Sequence, residues 1–313
     1  MEIITIQYPL TSVPAAPENG HVAAIGEFDG VHLGHREVVR RALDIANTLA
    51  LPASVVTFDP HPKHVLGLDE YGLQITPLEQ KLAIFADLGI SYAYVIRFDL
   101  PFSRISPARF VDEILVPMRL RTAVVGFDFT FGFKGEGNPE LLARLAEKQF
   151  SVEIVPPFLL DGEKVSSTCI RGHLERGDVE QAARQLGRRY RLSGQVVHGM
   201  ARGRKIGFPT ANIDPDQPFI VPRNGVYAIR LHMDGKRYAG VMNIGIKPTF
   251  EGEAVRTLEA HLLDFSDNIY GKRVEIEFIR FLRSEQKFAS IEELTAQIRR
   301  DADHARQIDM TLA

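Results

Sequence analysis

The sequence holds a single cysteine, Cys169, and no tryptophan among its 313 residues. One cysteine excludes an intrachain disulfide framework and any cysteine-rich metal centre, and it predicts a reducing, cytoplasmic setting. No apolar run approaches the ~18 residues that a membrane-spanning helix needs. The opening Met1-Glu2-Ile3-Ile4-Thr5 has neither the basic leader nor the apolar stretch of a signal peptide, so none is expected. Charge of one sign is also missing: 37 Lys and Arg stand against 40 Asp and Glu, a formal net charge of -3. Dedicated nucleic-acid binders carry a basic surplus, so the balance predicts no nucleic-acid partner. Membrane and obligate protein partners are not implied either. What remains is an ordinary globular composition, 45% hydrophobic and 25% charged, with enough length for two domains.

The first half alternates short apolar runs with amphipathic stretches. Residues 21–28, 53–58, 92–98, 122–127 and 152–155 read as buried parallel strands. Between the first two, Val38, Val39, Leu43, Ala46 and Leu49 return on one helical face. Thr76-Pro77-Leu78-Glu79 has the form of a capping box, and Ser106-Pro107 and Asn138-Pro139 open further helices. The expected fold is α/β, a doubly wound, Rossmann-like sheet whose ligands sit at the carboxyl ends of its strands. Chemistry is therefore expected after Phe28, Phe58, Phe98 and Phe127.

Near residue 187 the texture changes. Residues 178–186 are helical in pattern and Gly187 closes them; then strand-like runs follow without helices, at 190–198, 225–233, 237–246, 256–265 and 273–282. Asp234-Gly235 is a hairpin signal, and Ser290-Ile291-Glu292-Glu293 caps a terminal helix through about residue 307. This half predicts an antiparallel β-barrel with a terminal helix. The domains are expected at 1–185 and 186–313.

The first candidate site is Gly26-Glu27-Phe28-Asp29-Gly30-Val31-His32-Leu33-Gly34-His35, where a strand turns into a helix. A helix start offers unpaired N–H groups and positive dipole density, which suit phosphate, and Gly34 permits close backbone approach. His32 and His35 share a face of the first turn and can donate to a triphosphate. Two solvated histidines would be the plain alternative; a zinc site joining His32, His35, His61 and His64 lacks a recognised ligand spacing. Phe58-Asp59-Pro60-His61-Pro62 makes a stiff loop on the same rim. Gly126-Phe127-Asp128-Phe129-Thr130-Phe131-Gly132-Phe133 suits a planar aromatic ligand, unless its phenylalanines are core. Ser166-Ser167-Thr168-Cys169-Ile170-Arg171 joins capping hydroxyls to an arginine that can fork onto phosphate.

The second half has no Gly-x-x-x-x-Gly-Lys-Ser/Thr, so a second nucleotide site there is not a P-loop. Its candidate is the loop at 199–207, with Arg202, Gly203, Arg204, Lys205 and Gly207, leading into Phe208-Pro209-Thr210-Ala211-Asn212. Thr210 and Asn212 are two apart on a strand and offer the oxygen ligands that Mg²⁺ prefers. A solvated basic turn is the competing reading. Glu259 lies on an alternating strand, on the face opposite Leu258, Ala260 and Leu262, where a carboxylate needs a partner or a task.

Taken together, Gly-x-Phe-Asp-Gly-Val-His-x-Gly-His, Thr-Phe-x-Pro-His-Pro and Ser-Ser-Thr-x-Ile-Arg, in order in the first 171 residues, resemble the adenylyltransferase module of the bifunctional prokaryotic-type FAD synthetases. The Gly203–Asn212 stretch centred on Pro-Thr-Ala-Asn, with Asn243-Ile244-Gly245-Ile246-Lys247-Pro248-Thr249-Phe250 and the strand around Glu259, resembles their flavokinase module. The resemblance implies two reactions: riboflavin and ATP give FMN and ADP in the barrel, and FMN and ATP give FAD and pyrophosphate in the α/β half. It implies ATP contacts from Gly26, Phe28, Asp29, Gly30, His32, Gly34, His35, Ser167, Thr168 and Arg171, with His32 and His35 catalytic. Flavin contacts would come from Phe58, Pro60, His61, Pro62, Asp128 and Phe129. In the kinase, Gly203, Arg204, Lys205, Gly207, Pro209, Thr210 and Asn212 would hold ATP and Mg²⁺, and Glu259 would be the base for the ribityl hydroxyl. One departure is Glu27, where asparagine or another uncharged residue is expected; another is Cys169, where a basic or polar residue is usual. A flavin-binding regulatory barrel without kinase chemistry is the alternative of another class; Thr210, Asn212 and Glu259 weigh against it. An aminoacyl-tRNA synthetase-like protein is disfavoured by the acidic balance and the lack of Lys-Met-Ser-Lys-Ser.

Overall fold

The computed structural model describes residues 1–199, 203, 206–248 and 254–312. The chain divides into two compact units, Met1–Ser167 and Thr168–Ala313. The first is built on a six-stranded sheet of β1 (Glu2–Ile6), β2 (His21–Ile25), β3 (Ala53–Asp59), β4 (Tyr92–Arg97), β5 (Leu120–Gly126) and β6 (Ser151–Val155), in the order β1-β4-β3-β2-β5-β6. Every neighbouring pair is parallel. Between the strands lie α1 (Leu33–Leu49), the short α2 (Pro62–Val65), α3 (Leu78–Asp87), the short α4 (Pro107–Phe110) and α5 (Pro139–Leu145).

The buried runs explain why this sheet is covered on both faces. Ile25, Val56, Phe58, Tyr94, Ile96 and Val125 pack to one side, with Phe102, Phe110 and Ile114. Val22, Ala24, Val55, Ala93 and Val124 pack to the other, against Val38, Val39, Ala42 and Ala46 of α1 and Phe85 of α3. β2 is buried at all five positions, the mark of a central parallel strand. The order reverses direction between β2 and β5, so the crevice at their carboxyl ends is the topological switch point.

Two expectations change. β1 adds a sixth strand along β4; its Glu2-Ile3-Ile4-Thr5-Ile6 is mostly exposed at the sheet edge and carries no buried-run signal. β6, at the opposite edge, is buried only at Val155, not along the run expected at 152–155; α3 starts after Pro77, and the Thr76 N–H donates to Asp29. The caps at Ser106 and Asn138 are present, on Arg109 and Leu141.

Beyond the sheet, β7 (Leu159–Leu160) and β8 (Glu163–Lys164) form a small hairpin around Asp161-Gly162, both at positive φ. Next come α6 (Ser167–Arg176) and α7 (Val179–Leu186), the latter closed by Gly187 at φ 66°. A closed antiparallel barrel follows: β9 (Arg191–Val197), β10 (Ala211–Pro215), β11 (Gly225–Met233), β12 (Lys236–Pro248), β13 (Ala254–Leu262) and β14 (Arg273–Arg283), ordered β10-β13-β12-β11-β14-β9. Asp234 and Gly235 turn β11 into β12 with positive φ at both positions, as a two-residue type I′ hairpin requires. The terminal helix α8 (Ile291–Leu312) buries Ala302, Ala305 and Ile308 against Val226, Ala228, Val241 and Ile279. Arg283 forks onto Asp301 of that helix at 2.7–3.1 Å.

Candidate active sites

At the switch point, β2 leads through a tight loop into α1. Phe28 and Val31 adopt positive φ (58° and 38°) beside Gly30 at 91°, a conformation that non-glycine residues enter only when their surroundings enforce it. Here burial enforces it: Phe28 is 2% exposed and Val31 fully enclosed, with the Phe28 ring edge-on to His35 and Phe85. His32 is the N-cap of α1, its Nδ1 accepting the His35 N–H at 3.2 Å. That bond leaves the proton of the neutral ring on Nε2. The rings of His32 and His35 stack 3.6 Å apart, 18° from parallel. A Cβ on Gly34 would stand 3.2 Å from the His32 ring, so the small residue makes room for the histidine. Gly26 does the same for Phe28, whose ring lies 3.0 Å from where its Cβ would be.

Asp29 is buried and accepts the N–H groups of Ile75 and Thr76 at 2.9 and 3.1 Å. Its carbonyl accepts from the Ser167 hydroxyl at 2.8 Å, which ties the start of α6 to the loop. Thr168 and Arg171 belong to the second unit; Thr168 is exposed and Arg171 buried.

On the neighbouring strand, Phe58 is in the core, edge-on to Phe98. Pro60 is exposed, and Pro62 opens α2 behind its N-cap His61. His61 Nδ1 accepts the Lys63 N–H, and Nε2 lies 3.5 Å from Glu27. After β5 the aromatic segment divides: Phe131 is buried against Phe110, Phe129 stacks on Phe131 and is partly buried, and Phe127 and Phe133 are exposed. Lys164 of β8 lies 4.4 Å over the Phe127 ring and donates to exposed Asp128 at 2.8 Å.

Sequence reasoning missed Lys81. This lysine of α3 is 1% exposed and donates to the Glu27 carbonyl at 2.7 Å, with its Nζ 3.3 Å from the Glu27 carboxylate. Burial alone would raise the Glu27 carboxyl pKa; Lys81 and His61 outweigh it and hold the group below the ordinary carboxylate range. Glu27, Asp29 and His61 bring ligand atoms within 4.8 Å of one another, whereas His32, His35 and His64 belong to no such group among the described residues.

In the barrel, β10, β13 and β12 lie side by side. Asn212 is directly opposite Glu259, and Glu259 directly opposite Asn243, so three oxygen-bearing side chains form a row on one face. All three are half-buried, while Leu258 and Ala260 on the other face are fully buried. His261 donates from Nδ1 to the Pro209 carbonyl at 2.8 Å and meets Phe208 edge-on. It thus anchors the segment that carries Thr210, which is half-buried. The Phe208 N–H returns to the Gly203 carbonyl, and a Cβ on Gly203 would fall 2.2 Å from the Phe208 oxygen. Gly207 takes φ 84°. Arg202, Arg204 and Lys205 lie outside the described residues. Asn243 stands in the Asn243–Phe250 motif, and its place opposite Glu259 is a matter of register that local spacing does not show.

The FAD synthetase family profile matches residues 15–169 and the riboflavin kinase profile residues 186–309. A bifunctional riboflavin kinase/FMN adenylyltransferase of Listeria monocytogenes is 41% identical over 98% of both chains. The chain belongs to the bifunctional riboflavin kinase/FMN adenylyltransferase family. The Bacillus subtilis member is 42% identical over 91% of both chains, and the Escherichia coli K12 member 38% identical over 93% of this chain and 94% of its own. A crystal structure described as a macrolide-efflux protein from Streptococcus pneumoniae shares the fold: TM-score 0.88, 31% identity, 97% of this chain and 99% of that one. Among the described residues no helix is long and apolar enough to cross a membrane. Members of this family carry two separate nucleotide chemistries in one chain.

Proposed function

We propose that the stacked His32–His35 pair at the α1 N-terminus and the Asn212–Glu259 row in the barrel divide the two reactions of the family between them. The chain phosphorylates riboflavin to FMN and adenylylates FMN to FAD, with ATP as the donor in both steps. The division falls after residue 185, with the adenylyltransferase before it and the kinase after.

In the adenylyl transfer, a phosphate oxygen of FMN attacks the α-phosphorus of ATP, the bond to the bridging α–β oxygen breaks, and pyrophosphate leaves. Charge accumulates on the departing oxygens. The His32 imidazole and the positive end of the α1 dipole meet that demand with groups already held in place by the cap, which need no reorganisation when charge develops. Gly26, Phe28, Asp29, Gly30 and Gly34 act by shaping the turn. Ser167, Thr168 and Arg171 are assigned to ATP binding by the Ser-Ser-Thr-x-Ile-Arg motif they belong to. The flavin side is assigned to the rim of Phe58, Pro60, His61, Pro62, Asp128 and Phe129, with Phe58 acting from within the core.

In the kinase step, the ribityl 5′-hydroxyl attacks the γ-phosphorus, ADP leaves, and Glu259 takes the hydroxyl proton. ATP binding in this step is assigned, by the motif they belong to, to Gly203, Arg204, Lys205, Gly207 and Pro209. The donors at 210 and 212 are a hydroxyl and an amide oxygen, a set that fits Mg²⁺, and Asn212 sits directly across from the Glu259 carboxylate. When bound there, Mg²⁺ would neutralise phosphate charge. The observation that carries the kinase reading is this register: the proposed base and the proposed metal ligand share one face of adjacent strands. The direct test is product analysis with riboflavin, ATP and Mg²⁺. FMN and FAD should both accumulate; neither appearing would sink the reading. Cytoplasmic residence and the absence of nucleic-acid, membrane and obligate protein partners complete the proposal.

A further inference from the structure

A lysine with 1% of its side chain exposed sits beneath the proposed ATP turn, and the reactions described above do not use it. Lys81 reaches from the first turn of α3 to the carboxyl end of β2. Its ammonium donates to the Glu27 carbonyl, which also accepts from Thr57 Oγ1 at 2.9 Å. Its Nζ stands 3.3 Å from Glu27 Oε1. The other carboxylate oxygen, Oε2, accepts the Asp29 N–H at 2.7 Å and lies 3.5 Å from His61 Nε2. Because His61 Nδ1 accepts from Lys63, the proton of the neutral ring is on Nε2, pointing at Glu27. One carboxylate therefore joins three elements: the turn after β2, the loop after β3 and the helix α3.

The same atoms raise an electrostatic question. Glu27 places a negative charge two residues from Asp29 and three from Gly30, in the turn that takes a tetraanionic substrate. Left alone it would repel ATP and FMN. Contact of the half-buried carboxylate with a fixed, buried ammonium cancels the charge locally. The Lys81 field also reaches Asp59, whose carboxyl is raised by burial, lowered in part by Lys81 and raised again by Glu27. A metal ion among Glu27, Asp29 and His61 is disfavoured: Lys81 already supplies the cation, and Nε2 of His61 bears a proton.

We propose that Lys81 is a positioning residue of the adenylyl transfer: it cancels the Glu27 carboxylate so that phosphate can approach. It also locks that carboxylate where it links the ATP turn at Asp29 to the flavin loop at His61. The inference rests on the reading that this turn takes ATP.

The test is a charge cycle in the full chain: Lys81→Met, Glu27→Gln and the pair together, assayed for FAD formation from supplied FMN and, separately, for phosphorylation of riboflavin. Lys81→Met leaves the carboxylate uncancelled, so KM for ATP in adenylylation should rise at least about tenfold with a smaller change in kcat. Raised salt should shrink that increase, since screening weakens the repulsion. The double variant holds no charge at either position and should return KM for ATP to within about threefold of the parent, a rescue that lost packing would not give. Riboflavin phosphorylation reports on the barrel alone, and hydrogen-exchange protection of the β2, β3 and β5 amides reports on the fold of the first unit. Should Lys81→Met be insoluble, the double variant decides alone. Near-parental ATP affinity in the double variant supports the inference. A tenfold defect with the exchange protection of the first unit intact overturns it, as does a normal KM in Lys81→Met. A parent chain that makes no FAD would instead refute the function on which the inference stands.

Discussion

Acid should unfasten the first unit through one histidine. His21 opens β2 and is wholly buried, with Nε2 donating to the Met118 carbonyl at 2.8 Å and Nδ1 2.6 Å from the Ser54 hydroxyl. Its ring stacks on Tyr94, centroids 5.1 Å apart. Burial pushes its pKa down from 6.5 to about 4, offset in part by the bond to Met118. The folded state thus resists a proton that the unfolded chain accepts. The stabilisation is complete above pH 6.5, falls as pH drops, and levels off below about 4, where both states are protonated. At ~1.4 kcal/mol per pH unit, the fall corresponds to about 3 kcal/mol, or roughly 6–12 °C in Tm for a domain of this size. Ser54 limits the loss: its hydroxyl can turn to donate to the Val22 carbonyl, 3.2 Å away, and accept from a protonated ring.

The comparison that isolates this effect is His21→Gln, whose amide can donate to Met118 and accept from Ser54 without titrating. Protection of the β2, β3 and β5 amides by native-state hydrogen exchange, followed from pH 7 to pH 4, reads the first unit in the intact chain. The parent should lose about 3 kcal/mol more than the variant across that window. Parallel curves, differing by less than about 1 kcal/mol, would refute the assignment and move the acid sensitivity to the carboxylates.

Replacing both His32 and His35 by Ala should abolish FAD formation and spare FMN formation, read by chromatography of both products; equal loss in a folded chain would refute the division of labour. Glu259→Gln should lower riboflavin phosphorylation about 10²–10⁴-fold while adenylylation of supplied FMN continues, and near-normal FMN output would demote Glu259 to an orienting residue. Gly203→Ala should disable the kinase alone, because the new Cβ would fall 2.2 Å from the Phe208 carbonyl; unchanged kinetics would show that the 203–208 turn adapts freely. Asp301→Ala strands Arg283, 16% exposed, against the barrel and should cost about 3 kcal/mol in a urea titration of the second unit, with no loss arguing that α8 is held by its apolar face alone.

The legible parts of this chain were those with local period or local punctuation. Apolar runs located β2 to β6, although β6 is an edge strand buried only at Val155; Asp234-Gly235 located the hairpin, and Gly187 ended α7 as expected. The same punctuation was present in Asp161-Gly162 and marks the hairpin that carries Lys164, which the flanking residues were too short to advertise. His32 and His35 were legible as neighbours on a helical turn, but not as stacked rings. Lys81 and Asn243 were illegible as site components: one is 54 residues from Glu27, and the other meets Glu259 only through strand pairing. Local pattern shows which face a side chain takes, and only tertiary pairing shows what stands opposite.

The row of Asn212, Glu259 and Asn243 also makes the barrel an error detector. Side chains on a strand alternate, so a slip of one residue in β13 would turn Glu259 into the closed interior and bring out Leu258 or Ala260. With six strands closed on themselves, no free edge can absorb such a shift. A misregistered barrel would hold no partly competent kinase site. Refolded preparations should therefore divide into molecules with full specific activity and molecules with none, and the riboflavin kinase rate counts the chains whose barrel has closed in register.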